Sequence, residues 1–136
     1  MHYGGIPIAF NWREYLILAI ELENGTDEAK LRSSISRAYY AAYCSAKNYM
    51  EGPCKRTLPP RIPTHQYVID YYNGNKGHET NHRRSQIAQN LMRMRDKRRM
   101  ADYDNEIHPL KQMHSETQFV LELSEDVIAL IEQGGL

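Results

Sequence analysis

Hydrophobic residues recur at every third or fourth position along most of this chain, which places them on one face of an α-helix. The recurrence stops at Gly25, at Gly52-Pro53, in a proline-rich stretch and in a glycine-containing segment near residue 75. Because glycine and proline end helices, these interruptions separate five helical segments. The pattern predicts helices over about 12–24, 26–50, 65–72, 79–101 and 109–132, and it predicts no strand.

Two of these helices begin with residues that bind free backbone amides. Asn11, followed three residues later by Glu14, has the spacing of a capping box and predicts a helix start at Trp12. Thr26 opens the second helix, and Asp27 stands in its first turn, where a carboxylate interacts favourably with the helix dipole. Both starts are therefore specified locally.

A loop separates the second predicted helix from the third. Prolines at positions 59, 60 and 63 exclude a helix there, and we expect an irregular segment over about 52–63. Repeats, low-complexity segments and interdomain linkers are absent from the sequence. We predict one domain over residues 1–136, with its core over about 12–132, folded as an all-α, up-and-down bundle of four to five helices.

Composition narrows the environment of this domain. The 136 residues are 41% apolar and 25% charged, which suffices for a hydrophobic core and argues against disorder. Two cysteines, Cys44 and Cys54, supply neither a disulfide framework nor a four-thiolate zinc site. No apolar run reaches bilayer length, and the N-terminus does not have the pattern of a signal peptide. We therefore expect a cytoplasmic protein with no membrane partner.

Charge is unevenly distributed, although the net charge is zero. Between Arg83 and Arg99 there are seven lysines and arginines and a single acid, Asp96, whereas from Asp102 to the C-terminus there are eight acids and only one cation, Lys111. These two segments either pair with each other, across the fold or between subunits, or leave the basic segment free for an external polyanion. RNA is such a polyanion, because clustered cations release the counterions of its phosphates.

An arginine interrupts the apolar face of the fourth predicted helix. This face consists of Ile87, Leu91, Met94 and Ala101. Arg98 falls on the same stripe, with Arg95 one turn before it and Asp102 one turn after it. The spacing predicts either a structural pair between Arg98 and Asp102 or a desolvated cationic pocket that holds phosphate.

The second predicted helix offers a complementary surface. Its packing side consists of Ile35, Ala38, Tyr39, Ala42 and Tyr49. Its other side consists of Ser33, Arg37, Tyr40 and Cys44. Alanines on the packing side permit close helix approach, and Arg37 on the other side is the residue that we expect to contact an anion.

Three sequence blocks resemble the HEPN superfamily. The blocks are residues 12–19 (Trp-Arg-Glu-Tyr-Leu, then Ala19), 29–43 (ending in Ser-Arg-Ala-Tyr-Tyr-Ala-Ala-Tyr) and 95–104 (Arg-x-x-Arg-x-x-Ala-Asp-Tyr-Asp). The resemblance spans about residues 12–130. It implies a helical bundle that forms a homodimer, and the active members of the superfamily are metal-independent ribonucleases of toxin–antitoxin, abortive-infection and CRISPR-linked defence systems. It also implies RNA and a cognate antitoxin protein as partners, with no cofactor and no metal.

The resemblance implies roles for the residues of the basic cluster. It assigns Arg95 and Arg98 to phosphate binding and transition-state stabilisation. Tyr103 becomes the proton donor or orienting hydroxyl, and Asp102 either fixes Arg98 or acts as a base. Further RNA-binding side chains are expected at Arg37, Lys97, Arg99, Arg83 and Arg84, and supporting side chains at Ser36, Tyr40 and Asp96.

This chain departs from the ribonuclease pattern of the superfamily at one position. Such ribonucleases carry a histidine that four to six intervening residues separate from an arginine. Here the corresponding window after Arg95 ends at Asp102 without a histidine, and the nearest one is His108. The sequence resembles the branch that has Ala-Asp-Tyr in this place, and two functions stay open. The chain is an endoribonuclease, or it is a non-catalytic module that binds RNA, a nucleotide or a partner protein such as a nucleotidyltransferase-like antitoxin.

A rival motif lies at the start of the fourth predicted helix. His78-Glu79-Thr80-Asn81-His82 fits the H-E-x-x-H pattern, in which two histidines bind zinc and the glutamate activates water. Its surroundings are polar, and the spacing selects no third ligand, so an exposed helix start is the favoured interpretation. A zinc hydrolase is the minor alternative.

Overall fold

The computed structural model describes residues 2–3, 6–7, 10–74, 77–107 and 109–136, except the side chains of residues 2, 3, 6, 7, 78, 79 and 110. Its helices are α1 (Arg13–Glu23), α2 (Glu28–Glu51), α3 (Thr64–Tyr72), α4 (His78–Tyr103) and α5 (Leu110–Gln133). The predicted all-α class is confirmed. One antiparallel ladder, between β1 (His2–Tyr3) and β2 (Ile6–Pro7), was not predicted, because strands of two residues are too short to show an alternating pattern. No helix of the described residues is long and apolar enough to span a membrane.

Side chains bind the first turns of α1 and α2. The Asn11 Oδ1 atom accepts a hydrogen bond of 3.1 Å from the backbone amide of Arg13, whereas the amide of Glu14 donates to the backbone carbonyl of Asn11. The N-cap of α1 is Trp12, so the helix begins one residue later than the predicted capping box placed it. At α2 the Asp27 Oδ1 atom accepts a bond of 2.9 Å from the amide of Lys30. The cap of α2 is therefore Asp27, one residue later than the predicted Thr26, because both residue types cap helices and the spacing does not choose between them.

The central helix of the bundle is α2, which contacts each of the other four helices. Buried alanines along α2 let its neighbours approach closely. Three buried hydroxyls also donate hydrogen bonds to backbone carbonyls of adjacent helices, and these bonds satisfy polar groups inside the core. They run from Ser34 to Ala19 at 2.6 Å, from Ser124 to Ala38 at 2.7 Å and from Tyr72 to Ala46 at 2.6 Å.

Residue pairs across the bundle give the helix directions. Between α2 and α4 the pairs are Ser36 with Asp102 and Tyr39 with Arg98, and on the α5 side they are Ala38 with Ser124 and Tyr49 with Leu136. From one α2–α4 pair to the next, the residue number rises on α2 and falls on α4. In the pairs on the α5 side, both residue numbers rise. Helix α2 is therefore antiparallel to α4 and parallel to α5, which agrees with the predicted up-and-down arrangement.

The segment between α2 and α4 brings a short helix against the bundle. Residues 52–63 form no helix, as their prolines predicted. Helix α3 then packs Val68, Ile69 and Tyr72 into the core beside α2 and α4. This packing places the first turn of α3, with His65 and Gln66, next to the C-terminal half of α4.

Candidate functional site

Arg98 lies buried on α4, on the apolar stripe where its spacing predicted it. It is 8% exposed, and its guanidinium carbon lies 5.4 Å from the ring centre of Tyr39 and 5.6 Å from that of Tyr40. Its Nη1 atom contacts Oδ2 of Asp102 at 3.4 Å, whereas its Nε atom is buried and has no hydrogen-bond partner among the described residues. The predicted pair and the predicted desolvated guanidinium therefore occur together, with the cation over aromatic rings.

Asp102 forms part of the wall of a polar groove between α2 and α4. The groove has a volume of about 340 Å³. The Ser36 hydroxyl lies 3.5 Å from the same Asp102 oxygen that Arg98 contacts. Because the Asp102 side chain is 28% exposed, its carboxylate reaches both the groove and Arg98. Besides Asp102, the lining includes Arg32, Ser33, Ser36, Arg37 and Ala101.

Two arginines of α2 lie in this groove and have different environments. Arg32 Nη1 donates to the backbone carbonyls of Ala101 at 3.1 Å and Asp104 at 2.6 Å, so it caps the C-terminal end of α4. Arg37 is exposed, and its guanidinium carbon lies 5.0 Å from the ring centre of Tyr15 on α1. Arg37 therefore keeps its donors available for an anion, whereas the sequence did not indicate the role of Arg32.

Two further arginines of α4, Arg95 and Arg99, lie on the side of Arg98 that faces α3. Arg95 Nη1 donates to Oε1 of Gln66 at 3.1 Å, and its Nε atom is buried without a hydrogen-bond partner among the described residues. Arg99, one turn after Arg95, is exposed. Neither arginine forms an ion pair within the described part of the chain. A phosphate at this position would supply the missing anion.

His65, in the first turn of α3, joins this cluster. Its Nδ1 atom lies 2.5 Å from the Tyr39 hydroxyl, and its ring stacks on that of Tyr43 with centroids 4.1 Å apart and planes at 7°. Burial, and then the charges of the α4 arginines, lower the pKa of His65 from 6.5 to about 4. The imidazole is therefore neutral near pH 7. No sequence pattern indicated this role, because His65 precedes Arg95 by 30 positions and only tertiary packing brings the two residues together.

The site thus combines guanidiniums, a hydroxyl, a carboxylate and an imidazole on two sides of Arg98. Comparisons with family models, with curated proteins and with solved structures found no match. Clustered guanidiniums beside a carboxylate bind phosphodiesters and can stabilise charge that develops on them.

Two of the predicted RNA-binding arginines are used inside the fold. Arg84 is 1% exposed and donates to the backbone carbonyl of Tyr71 on α3. Arg83 donates to the carbonyls of the two glycines that follow α5, at 2.6 and 2.8 Å. Both precede Arg98 by about 20 Å along the helix axis. Neither lines the groove. Arg84 is not accessible to RNA, which corrects the expectation for that residue, whereas RNA binding by the partly exposed Arg83 stays a prediction.

The remaining predicted site residues lie at the surface of α4. Lys97 Nζ contacts Glu116 Oε2 on α5 at 2.7 Å, so the basic and acidic segments pair across the fold at this point. Asp96 is exposed and lies outside the groove lining. Tyr103 is the last residue of α4 and is 74% exposed, next to Asp102. Its phenol is accessible but lies outside the buried cluster around Arg98.

The H-E-x-x-H segment forms the first turn of α4. The side chains of His78 and Glu79 lie outside the described residues, as does His108, and His82 is exposed. Among the side chains that the structure describes, no group of three or more His, Cys, Asp or Glu residues could hold a metal ion. The zinc alternative therefore gains no support from this part of the chain.

Proposed function

We propose that this chain is a metal-independent endoribonuclease of a toxin–antitoxin or defence system. The observation that carries the proposal is the buried guanidinium of Arg98, held against Asp102 in the wall of a polar groove. The groove volume, about 340 Å³, lies at the lower end of the range of ligand pockets. The segments around Arg37 and Asp102 resemble the HEPN superfamily, whose active members are ribonucleases, and this resemblance supports the same function.

The groove and the adjoining end of α4 supply the groups needed for attack of a ribose 2′-hydroxyl on the adjacent phosphate. Asp102 takes the proton of the 2′-hydroxyl as the P–O2′ bond forms and the P–O5′ bond breaks. Tyr103, one residue further, gives its proton to the leaving 5′-oxygen. Arg37 binds the phosphate from the open side, and Arg98 adds positive charge behind Asp102. The products are a 2′,3′-cyclic phosphate and a 5′-hydroxyl.

The proposed active form is a homodimer with the groove near the interface. Helix α1, which borders the groove through the contact of Tyr15 with Arg37, exposes Ile17 and Ile20 by 51% and 47%. Neighbouring exposed apolar side chains favour a protein contact. We expect light scattering at micromolar concentration to give the mass of two chains for wild type and of one chain for Ile17→Glu. A monomeric wild type would contradict the dimer.

Cleavage of RNA in the presence of EDTA tests the function directly. We expect wild type to cleave RNA in EDTA, Arg98→Ala to be at least ~100-fold slower, and Tyr103→Phe to be slower by a factor on the order of 10 to 100. Arg93→Ala, which removes an exposed arginine of the same helix, should cleave like wild type. Circular dichroism establishes that each variant is folded. Absence of cleavage by wild type would refute the ribonuclease, and cleavage that chelation abolishes would favour the zinc hydrolase.

A second function, non-catalytic binding of RNA, a nucleotide or a partner protein, is favoured by one observation. Asp102 already neutralises Arg98, and the exposed Tyr103 phenol does not contact that pair. A phosphate could then bind at Arg37 without being cleaved. Retention of RNA on the wild-type protein without cleavage, together with loss of binding in Arg37→Ala, would support this alternative.

A further inference from the structure

A second anion-binding position lies on the α3 side of Arg98, outside the groove. We propose that His65 binds a phosphate of the substrate through its Nε2–H group, together with Arg95 and Arg99. This proposal rests on the proposed function, because it takes RNA as the ligand. It adds a position for a phosphate that neighbours the cleaved one, and it makes His65 a substrate-binding residue that transfers no proton.

The hydrogen bond to Tyr39 determines where the imidazole carries its proton. Burial raises the pKa of the Tyr39 phenol, so this hydroxyl stays protonated and donates to Nδ1 of His65. A neutral imidazole that accepts at Nδ1 holds its single proton on Nε2. No described residue accepts a hydrogen bond from Nε2, and the residue is partly exposed. His65 therefore presents an unused donor.

Aromatic neighbours hold this donor in a fixed orientation. The His65 ring stacks on Tyr43 at 4.1 Å and on Tyr39 at 5.6 Å, and Tyr40 meets it edge-on at 6.1 Å. A side chain fixed in this way loses little conformational entropy when a ligand binds. The geometry thus favours binding over a purely space-filling role.

The charges around His65 favour an anion. Arg95, Arg98 and Arg99 of α4 act on the imidazole, and the α2 side chains that stack on it are uncharged tyrosines. No carboxylate contributes to its pKa. A phosphate would therefore meet cations and a neutral imidazole donor together.

The distance between the two positions indicates which phosphate His65 contacts. Arg95 and Asp102 are seven residues apart on α4, about 10 Å along the helix axis. One phosphate cannot reach both positions. With the cleaved phosphate at Asp102, a neighbouring phosphate of the same strand lies at His65, so loss of His65 weakens substrate binding and leaves the chemical step unchanged.

Nitrogen-detected NMR of the histidine rings tests this contact in the wild-type protein. The probe is a short single-stranded DNA, which lacks the 2′-hydroxyl and is not cleaved. A bound phosphate should raise the pKa of His65 by at least about 1 from its value near 4, because the nearby negative charge favours the imidazolium. Exposed His82, on the same helix as Arg95, is the control, and its ring nitrogen signals should not move when the probe is added. A His65 titration that the probe leaves unchanged would overturn the proposal.

Kinetics on RNA provide the second measurement. His65→Phe keeps the stacking on Tyr43 but removes the donor, and KM should rise by at least ~10-fold while kcat stays within about 3-fold. His65→Gln retains an N–H donor and should restore most of the binding. Equal KM values in wild type and His65→Phe, or a loss confined to kcat, would refute the assignment. If RNA is cleaved but His65 does not respond to the probe, the proposed ribonuclease function stands and the phosphate position at His65 is refuted. If His65 responds but RNA is not cleaved, the phosphate position stands and the ribonuclease function is refuted.

Discussion

Replacement of Arg84 by alanine is expected to lower the free energy of unfolding by about 3 kcal/mol. Arg84 is 1% exposed, and its guanidinium carbon lies 4.4 Å from the ring centre of Tyr71 and 5.3 Å from that of Tyr72. Alanine removes these contacts, leaves a cavity between α3 and α4, and withdraws the donor from the Tyr71 carbonyl. Urea denaturation followed by circular dichroism measures the loss.

Arg84→Met separates the shape of this side chain from its charge. The Nε and Nη1 atoms of Arg84 are buried without hydrogen-bond partners among the described residues, so part of the guanidinium is desolvated without compensation. Methionine fills a similar volume without that penalty, and we expect its stability to lie within about 1 kcal/mol of wild type. Arg93→Ala, at an exposed position of α4, is the control and should change stability by less than about 0.5 kcal/mol. Equal losses in Arg84→Met and Arg84→Ala would show that the charge, and not the volume, holds α3 in place.

Local signals account for most of the helix boundaries. Gly25 and Gly52-Pro53 end α1 and α2 within about two residues of the predicted positions, because glycine and proline act on the backbone of their own segment. The buried stripe of α4 was also predictable from the spacing of its residues, and it extends further toward the N-terminus of the helix than predicted. Steps of three and four residues lead from Arg84 through Ile87 to Arg98 and Ala101, so the same periodicity that placed Arg98 in the core also marks Arg84 as buried.

The candidate site was predictable only where its residues share a helix. Arg98 and Asp102 are four residues apart on α4, and that spacing brings their side chains together. His65 and Gln66 enter from α3, whose position depends on the path of residues 52–63, and no local rule determines that path. Arg32 reaches the end of α4 from α2, which is likewise a tertiary contact. The sequence therefore predicts the pair of Arg98 with Asp102, but it does not predict which side chains of α2 and α3 surround that pair.

Asp102→Asn is expected to slow RNA cleavage by at least ~100-fold, which is the contribution of a general base. Asparagine cannot take the proton of the 2′-hydroxyl, but its side-chain oxygen can still accept a hydrogen bond from Arg98 Nη1. The partly exposed pair loses its charge attraction, so the free energy of unfolding should fall by about 1 kcal/mol only. Single-turnover cleavage in EDTA and urea denaturation measure the two quantities on the same preparation.

Asp104→Asn is the matched control for this result. Asp104 is exposed and is the C-cap of α4, two residues after Asp102, so the same chemical change there should leave cleavage within about 3-fold of wild type. If Asp102 only fixes Arg98, the retained hydrogen bond in Asp102→Asn preserves that arrangement and cleavage falls by less than about 10-fold. A large loss of cleavage in Asp102→Asn, with a stability loss of no more than about 1 kcal/mol, therefore assigns proton transfer to this carboxylate. A small loss of cleavage would contradict that role and confine Asp102 to holding the guanidinium beneath the groove.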